Sequence, residues 1–227
     1  MKIAVLGTGV VGQSIGGRLA ELGHQVVFGT REPADTLART QPDQYGRPPF
    51  AVWLRERPGI ELTTFADAAG PAEIVVNATS GDGAMPALQA AGAPNLAGKV
   101  LIDITNPLDF SAGFPPTFFV KDTDSLGEQI QRAFPQARVV KTLNTVTAYV
   151  MISPKDLADG DHTVFVSGDD PQAKQVVIDL LRSFGWTDIL DLGDLSTCRG
   201  TELYLALWTR LLPVTGGNGN FNIKVVR

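Results

Sequence analysis

The sequence predicts an α/β fold, with a doubly wound, mainly parallel sheet and a small C-terminal α/β extension. Short apolar runs alternate along the chain with segments of helical periodicity, the pattern of parallel strands joined by helices. The first twelve residues also read as a strand, a glycine-rich turn and the start of a helix, with glycines at positions 7, 9 and 12. We therefore expect ligands to bind at the carboxyl ends of the strands.

The predicted elements follow in order along the chain. Strands are predicted at Lys2–Leu6, Gln25–Gly29, Glu73–Ala78, Lys99–Ile104, Arg138–Leu143, Thr163–Ser167 and Ile189–Leu192. Helices are predicted at Val10–Leu22, Ala84–Ala91, Asp124–Phe134, Pro171–Phe184 and Ser196–Leu212. Two stretches, 41–58 and 109–121, are rich in proline and aromatic residues and break the alternation. Each is interpreted either as a functional loop or lid, or as an ordinary surface loop held by aromatic packing.

Length and composition limit the class of protein. With 227 residues, 44% hydrophobic and 19% charged, the chain has the composition of a soluble globular protein. It contains no apolar run of the roughly 20 residues that span a membrane, and its net charge of −5 argues against a general nucleic-acid surface. The first strand begins beside Met1, and the single cysteine, Cys198, has no intrachain partner. We expect a cytoplasmic protein without a targeting segment.

The glycine-rich turn predicts a dinucleotide-binding site. Gly7 makes the tight turn, Gly9 lets a pyrophosphate approach the backbone, and Gly12 allows the helix to pack closely on the strand. Thr8, Val10 and Val11 complete the turn and the first helical residues, whose N–H groups point at phosphate. A strand before the turn and a helix after it make this signal stronger than a lone glycine triplet.

The residues after the second strand predict which dinucleotide is bound. Folds that bind NAD usually place a carboxylate there, about 20 residues beyond the glycines, whereas this chain has Thr30-Arg31. A hydroxyl and a guanidinium match a 2′-phosphate, so we predict NADP(H) rather than NAD. A shift of one residue would instead place the acidic Glu32 in the site. Arg39 either adds a second positive charge or is a solvated surface residue.

Small and amide-bearing residues follow three of the later strands. Ala78, Thr79 and Ser80 follow one strand, Asn106 and Pro107 the next, and Asn144 a third. Because ligands bind beyond the carboxyl ends of such strands, these residues are predicted to line the ribose and nicotinamide. The Asn106–Pro107 bond is open to either isomer. A tight turn at a strand end is the alternative interpretation.

These and other motifs resemble those of the NADP-dependent oxidoreductases that use the deazaflavin coenzyme F420. The resemblance rests on the glycine turn and on the segments Thr30-Arg31, Asn106-Pro107, Lys141-Thr142-Leu143-Asn144, 165–170 and 191–195, the last followed by Arg199-x-x-Glu202. It implies a Rossmann fold that binds NADP(H), with coenzyme F420 or a flavin as the second substrate. It also implies an NADP-binding domain at residues 1–150, a C-terminal extension at 151–227 that covers the nicotinamide pocket, and Thr145 and Arg199 near the second substrate. The 41–58 insertion and the tail Gly216–Arg227 depart from this family and suggest a side branch.

No arrangement of residues for acid–base or nucleophilic catalysis is visible, so no catalytic side chain is predicted. Hydride transfer between two stacked rings needs mainly orientation and exclusion of water. His24, His162 and Cys198 are interpreted as structural, and no metal site is expected. Two hypotheses remain: an oxidoreductase acting on a small-molecule redox substrate, and a non-catalytic NADP-binding redox sensor or interaction protein. Neither requires nucleic acid or a membrane.

The last residues suggest a mode of association. The segment Phe221–Val226 has a strand-like pattern, and such a strand can add to a sheet edge in its own or in another subunit. A homodimer is therefore a possible assembly.

Overall fold

The computed structural model describes residues 1–43 and 46–227. The strands are β1 Lys2–Leu6, β2 Gln25–Thr30, β3 Glu61–Thr64, β4 Ile74–Asn77, β5 Val100–Asp103, β6 Leu108–Asp109, β7 Thr117–Phe118, β8 Arg138–Thr142, β9 Thr163–Gly168 and β10 Asp188–Gly193. The helices are α1 Val10–Glu21, α2 Pro33–Ala38, α3 Phe50–Arg55, α4 Phe65–Ala69, α5 Gly81–Ala91, α6 Ala93–Leu96, α7 Leu126–Ala133, α8 Ala148–Ile152, α9 Pro171–Phe184, α10 Cys198–Leu203 and α11 Leu205–Val214.

Within the described ranges, eight strands form one sheet in the order β10-β9-β8-β5-β4-β1-β2-β3. Successive residues of β1 point to opposite faces: Ile3 and Val5 belong to one buried apolar cluster, and Ala4 and Leu6 to the other. Helices cover both faces, which is why the central strands are continuously apolar. The predicted doubly wound α/β fold is confirmed.

The strand register brings the predicted site residues to one edge. Leu6 pairs with Asn77, Asn77 with Asp103, and Asp103 with Lys141, so the ends of β1, β4, β5 and β8 lie side by side. All four strands run in the same direction. The turns that follow them are therefore neighbours in space although they are far apart in sequence.

Strand β9 is antiparallel to β8, while the other pairings described in this sheet are parallel, which agrees with the predicted mainly parallel sheet. The connection between these two strands contains α8, a single short helix of five residues, followed by two 3-10 turns. Strand β10 pairs with β9 in parallel through the crossover helix α9. The C-terminal strands thus continue the same sheet, while the division into two domains at residue 150 stays a prediction.

Several short elements were not predicted. Strand β3 lies at the sheet edge and is only partly buried, and its sequence, Glu-Leu-Thr-Thr, has no apolar run. The stretch 41–58, predicted as a long loop, contains helix α3; residues 44 and 45 of that stretch lie outside the described residues. The stretch 109–121 is bounded by a small hairpin in which Leu108 pairs with Phe118.

The C-terminal segment differs from the prediction in two ways. The helix predicted at Ser196–Leu212 is divided at Tyr204 into α10 and α11. The tail forms no strand among the described residues and packs against its own chain, where the Ile223 carbonyl accepts a hydrogen bond from the Thr163 N–H at 2.9 Å. Lys224 and Arg227 also form ion pairs with Asp188. Homodimer formation stays a prediction.

Within residues 1–43 and 46–227, no helix combines the length and apolar character needed to cross a bilayer.

Candidate active site

The glycine turn joins β1 to α1 in a tightly packed form. The Gly7 N–H donates to the Gly29 carbonyl at 3.0 Å, and Gly7 has a φ of 110°, a backbone conformation that favours glycine. A Cβ on Gly12 would overlap the Gly7 carbonyl oxygen, whereas a Cβ on Gly9 would meet no atom within 4 Å. Gly9 caps α1 without a side-chain hydrogen bond. The turn therefore leaves room for a ligand at Gly9 and the first N–H groups of α1.

A first cleft of about 550 Å³ extends along the carboxyl ends of the strands. Its lining includes predicted residues that follow β1, β4, β5 and β8, namely Val10, Val11, Ala78, Thr79, Ser80, Asn106 and Asn144. It also includes apolar and aromatic residues, namely Leu108, Phe110, Val146, Tyr149, Met151, Leu205 and Trp208. Phe110 and Tyr149 are more than half exposed. These apolar and aromatic residues suit a flat apolar ring.

A second cleft of about 420 Å³ also borders the glycine turn. Thr8, Gly9 and Val10 line it together with Thr36, Arg39 and residues of the 41–50 segment. Val10 and Arg47 line both clefts, so the two meet beside the amino end of α1. The structure therefore places Arg39, one of the two predicted basic residues, at a cleft.

Thr30 is the last residue of β2 and Arg31 follows it, and neither lines the second cleft. The hydroxyls of Thr30 and Thr36 are hydrogen-bonded at 3.1 Å, and Thr36 lines the cleft. Arg31 is exposed and does not line either cleft, and neither does Glu32. The role of the Thr30-Arg31 pair in recognising a 2′-phosphate stays a prediction.

The side chains of Asn106 and Asn144 hold the two neighbouring strand ends together. The Asn106 amide donates to the Asn144 carbonyl at 2.8 Å, and the Asn144 amide donates to the Asn106 side-chain oxygen at 2.9 Å. Asn144 also donates to the Thr201 carbonyl at 3.0 Å. The Asn106–Pro107 peptide is trans, and the chain turns the carbonyl of Asn106 close to Gly81. Both amides therefore line the cleft in fixed orientations.

A buried charge cluster lies next to the strand ends that lead into the first cleft. The Lys141 ammonium donates to the Asp103 carboxylate at 2.7 Å and the Thr105 carbonyl at 2.6 Å, and forms an ion pair with Glu202 at 2.8 Å. Asp103 also accepts from Asn77, at 3.0 Å, while Glu202 accepts from the N–H groups of Leu126 and Gly127 at the start of α7. The cluster therefore ties β5, β8, α7 and α10 together.

The charge state of Lys141 follows from this arrangement. Burial by itself would lower its pKa, but the carboxylates of Asp103 and Glu202 outweigh burial and raise the pKa above its ordinary value. The ammonium is therefore retained. In the sequence, Lys141 and Glu202 stood out only as parts of motifs, and no charge cluster was predicted. The signal for the cluster was a lysine within an otherwise apolar, buried strand.

Other predicted residues lie away from the clefts. Thr145 is buried, and Arg199 pairs with the Glu128 carboxylate through Nε at 2.8 Å and Nη2 at 2.6 Å. Pro107 is buried beside Asn106. Neither Thr145 nor Arg199 lines either cleft, so the structure does not bring them to the expected place of the second substrate. Their proposed contact with that substrate stays a prediction.

Neither histidine lines either cleft. His162 is buried, with its Nε2 2.8 Å from the Pro154 carbonyl and its ring against Trp186. The pKa of His24 is lowered by partial burial, with a smaller effect of the amino terminus.

Cys198 is buried beside Ser125, with Sγ 3.1 Å from the hydroxyl oxygen. Burial raises its pKa to about 12, against the attraction of the nearby Lys141. At pH 8 the thiolate fraction is then about a thousandfold smaller than for a thiol with the ordinary pKa.

We expect a disulfide reagent to label the native protein negligibly and to label one thiol per chain after unfolding in urea. Rapid labelling of the native protein would contradict the buried, protonated thiol.

Comparisons with known proteins show which family the chain resembles. The family described as NADP oxidoreductase, coenzyme F420-dependent, matches residues 2–107. A crystal structure of a protein from Arthrobacter sp. FB24, provisionally described as an F420-dependent NADP-reductase, is 57% identical, covers all of both chains and has a TM-score of 0.96.

Two curated relatives are more distant. The F420-dependent NADP reductase of Methanocaldococcus jannaschii is 28% identical over 210 residues, which are 89% of this chain and 88% of that protein. Metalloreductase STEAP3 of Rattus norvegicus is 28% identical over 214 residues, 93% of this chain. The chain spans only 37% of the length of that metalloreductase. Full-length similarity at 57% identity, with the matching family profile, shows that the chain belongs to the family of NADP oxidoreductases, coenzyme F420-dependent.

Proposed function

We propose that the protein binds NADP(H) across the two clefts and transfers a hydride between its nicotinamide and a deazaflavin such as coenzyme F420, or a flavin-like acceptor. The observation that carries this proposal is the pair of clefts that share lining residues at the glycine turn, one of them lined in part by apolar and aromatic side chains. The names of the relatives, an NADP reductase and a metalloreductase, support reduction as the reaction.

The residues fit the cofactor in three places. The open space at Gly9 and the amino end of α1 suit a pyrophosphate. Thr36 and Arg39 in the second cleft suit the phosphorylated adenosine end. Asn106 and Asn144, with Thr79 and Ser80, suit the nicotinamide end in the first cleft.

The chain's own contribution to the reaction is orientation and exclusion of water. The hydride chemistry is supplied by the nicotinamide when the cofactor is bound. Asn106 and Asn144 present amide groups held by each other, and the apolar side chains of Val146, Leu205 and Trp208 line the same cleft. Holding two rings face to face in such a site removes much of the entropic barrier to direct transfer.

An NADPH oxidation assay tests the acceptor. NADPH consumption is followed with coenzyme F420, FMN, FAD, a quinone and a ferric chelate, the last because of the metalloreductase relative. We expect turnover with coenzyme F420 or a flavin. Saturable NADPH binding without turnover on any acceptor would instead favour a non-catalytic NADP-binding sensor.

Replacement of Arg31 by alanine tests the choice of cofactor. If its guanidinium binds the 2′-phosphate, we expect NADPH binding to weaken by about 1.5 to 3 kcal/mol, the usual contribution of a charged hydrogen bond. NADH binding should change little, because NADH lacks that phosphate. Fluorescence titration of both nucleotides measures the difference, and equal weakening of both would reject the assigned role.

A further inference from the structure

Two of the aromatic side chains that line the first cleft are largely open to solvent. Phe110 is 57% exposed and Tyr149 is 51% exposed, and both line the cleft. Single exposed apolar side chains occur on any protein surface, but aromatic rings gathered at one concave site mark places where ligands bind. These two rings are therefore available to a ligand that enters the cleft from solvent.

Phe110 is held at the cleft by the hairpin of β6 and β7. It directly follows Asp109, the last residue of β6, whose carboxylate accepts a hydrogen bond from the Ser111 N–H at 2.8 Å. At the base of the hairpin, the Leu108 N–H donates to the Asn106 carbonyl at 2.8 Å. The backbone on both sides of Phe110 is thus hydrogen-bonded, and the hairpin is joined to a residue whose amide lines the same cleft.

Tyr149 lies on helix α8, in the connection between β8 and β9. Its hydroxyl donates to Asp156 Oδ2 at 2.6 Å, and this hydrogen bond raises the pKa of the phenol above its ordinary value. The hydroxyl therefore keeps its proton and its partner. Because the polar end of the side chain is already paired, what Tyr149 offers to a ligand in the cleft is its apolar ring.

We propose that Phe110 and Tyr149 bind the flat ring of the second substrate, a fused aromatic heterocycle. This inference rests on the proposed function, because it assumes that the nicotinamide lies against Asn106 and Asn144. The cleft measures about 550 Å³, within the range of roughly 300 to 1,000 Å³ that holds a whole small-molecule ligand, so it has room for more than a nicotinamide ring. Aromatic rings pair in offset-stacked or edge-to-face arrangements, and a fused heterocycle offers a large face and a long edge for both.

The test measures acceptor binding to protein saturated with oxidised NADP, which has no hydride to transfer. The Kd values of FMN and oxidised coenzyme F420 are obtained from quenching of their fluorescence. We expect Phe110→Leu and Tyr149→Leu each to raise both Kd values about fivefold, the loss of one aromatic pair, while Phe110→Tyr keeps the ring and binds as the wild type does. Phe119→Leu is the matched control, because it removes a 46% exposed ring that does not line the cleft.

A second measurement shows which ring the two side chains contact. In Phe110→Leu the KM for the acceptor should rise with little change in kcat, and the Kd for NADPH should equal that of the wild type. An equal rise in the Kd for NADPH would assign Phe110 to the nicotinamide and overturn the proposal. If the wild type reduces these acceptors and Phe110→Leu binds them equally well, the proposal fails while the proposed function stands. If the NADP-saturated wild type binds neither acceptor, both fail.

Discussion

Replacing Lys141 by methionine is expected to lower the free energy of unfolding by about 3 to 5 kcal/mol, the usual cost of removing one partner from a buried ion pair. The substitution keeps most of the side-chain volume but leaves the carboxylates of Asp103 and Glu202 without their shared cation. It also removes the hydrogen bond to the Thr105 carbonyl, next to Asn106 at the cleft. Urea denaturation followed by circular dichroism measures the change.

The matched control is Arg182→Met, which removes a cation from an exposed pair with Asp179 at 3.0 Å. Both of those side chains are more than half exposed, so we expect a loss below about 1 kcal/mol. A loss no larger than that of Arg182→Met would contradict the importance of the cluster.

The second large effect is expected in the glycine turn, where two alanine substitutions should differ in their effects on stability and on NADPH binding. In Gly12→Ala the new methyl would overlap the Gly7 carbonyl oxygen, so the turn must shift. We expect the free energy of unfolding to fall by about 2 kcal/mol, as for other overpacked sites. NADPH binding should be lost as well, because the same turn lines the second cleft through Thr8 and Gly9.

Gly9→Ala is the matched variant. Its methyl would meet no protein atom within 4 Å, and its φ of −73° suits alanine. We expect the unfolding free energy to stay within about 0.5 kcal/mol of the wild type, while NADPH affinity falls at least about tenfold, because the methyl occupies the space open to the pyrophosphate. Denaturation curves and NADPH titrations on both variants measure this. If Gly9→Ala bound NADPH normally, the pyrophosphate would lie elsewhere.

The elements predicted correctly are those with long apolar runs or strong helix boundaries. The central strands β1, β4, β5 and β8 were found because burial on both faces demands continuous apolar sequence. Helix α9 was found with correct bounds, since Pro171 at its first position and Gly185 just after its end mark both limits. Strand β3 was missed because it is a short, partly buried edge strand whose formation depends on pairing with β2.

The antiparallel direction of β9 could not be predicted from its own residues. Its sequence is apolar in either direction, and direction is decided by the path of the connection from β8, which includes only one short helix and two 3-10 turns. The tail was predicted as a strand because Phe221–Val226 has a strand-like pattern, and here too the structure differs. Its backbone instead bonds to Thr163 at the start of β9, with Asp188 holding Lys224 and Arg227.

For the candidate site, the sequence determined the residues that follow the strands. A glycine turn between a strand and a helix, and small or amide residues after β4, β5 and β8, are local patterns, and in a parallel sheet such strand ends share one edge. That is why Val10, Thr79, Asn106 and Asn144 were predicted together and do line one cleft. Nothing in this inference requires knowledge of long-range contacts.

Only the tertiary structure decided which helices and loops complete the lining of the first cleft and which buried charges lie next to it. Tyr149 lines the cleft from helix α8 and Trp208 from helix α11. Arg47 lines it from the segment before α3, and Arg199, paired with Glu128, does not line it. Lys141, Asp103 and Glu202 meet although they are up to 99 positions apart, from Asp103 to Glu202. The sequence by itself determined the α/β sheet and the edge that carries the candidate site, because backbone periodicity and turn chemistry are local. The packing of helices and loops determined the rest, because it depends on contacts between segments whose own sequences do not encode their neighbours.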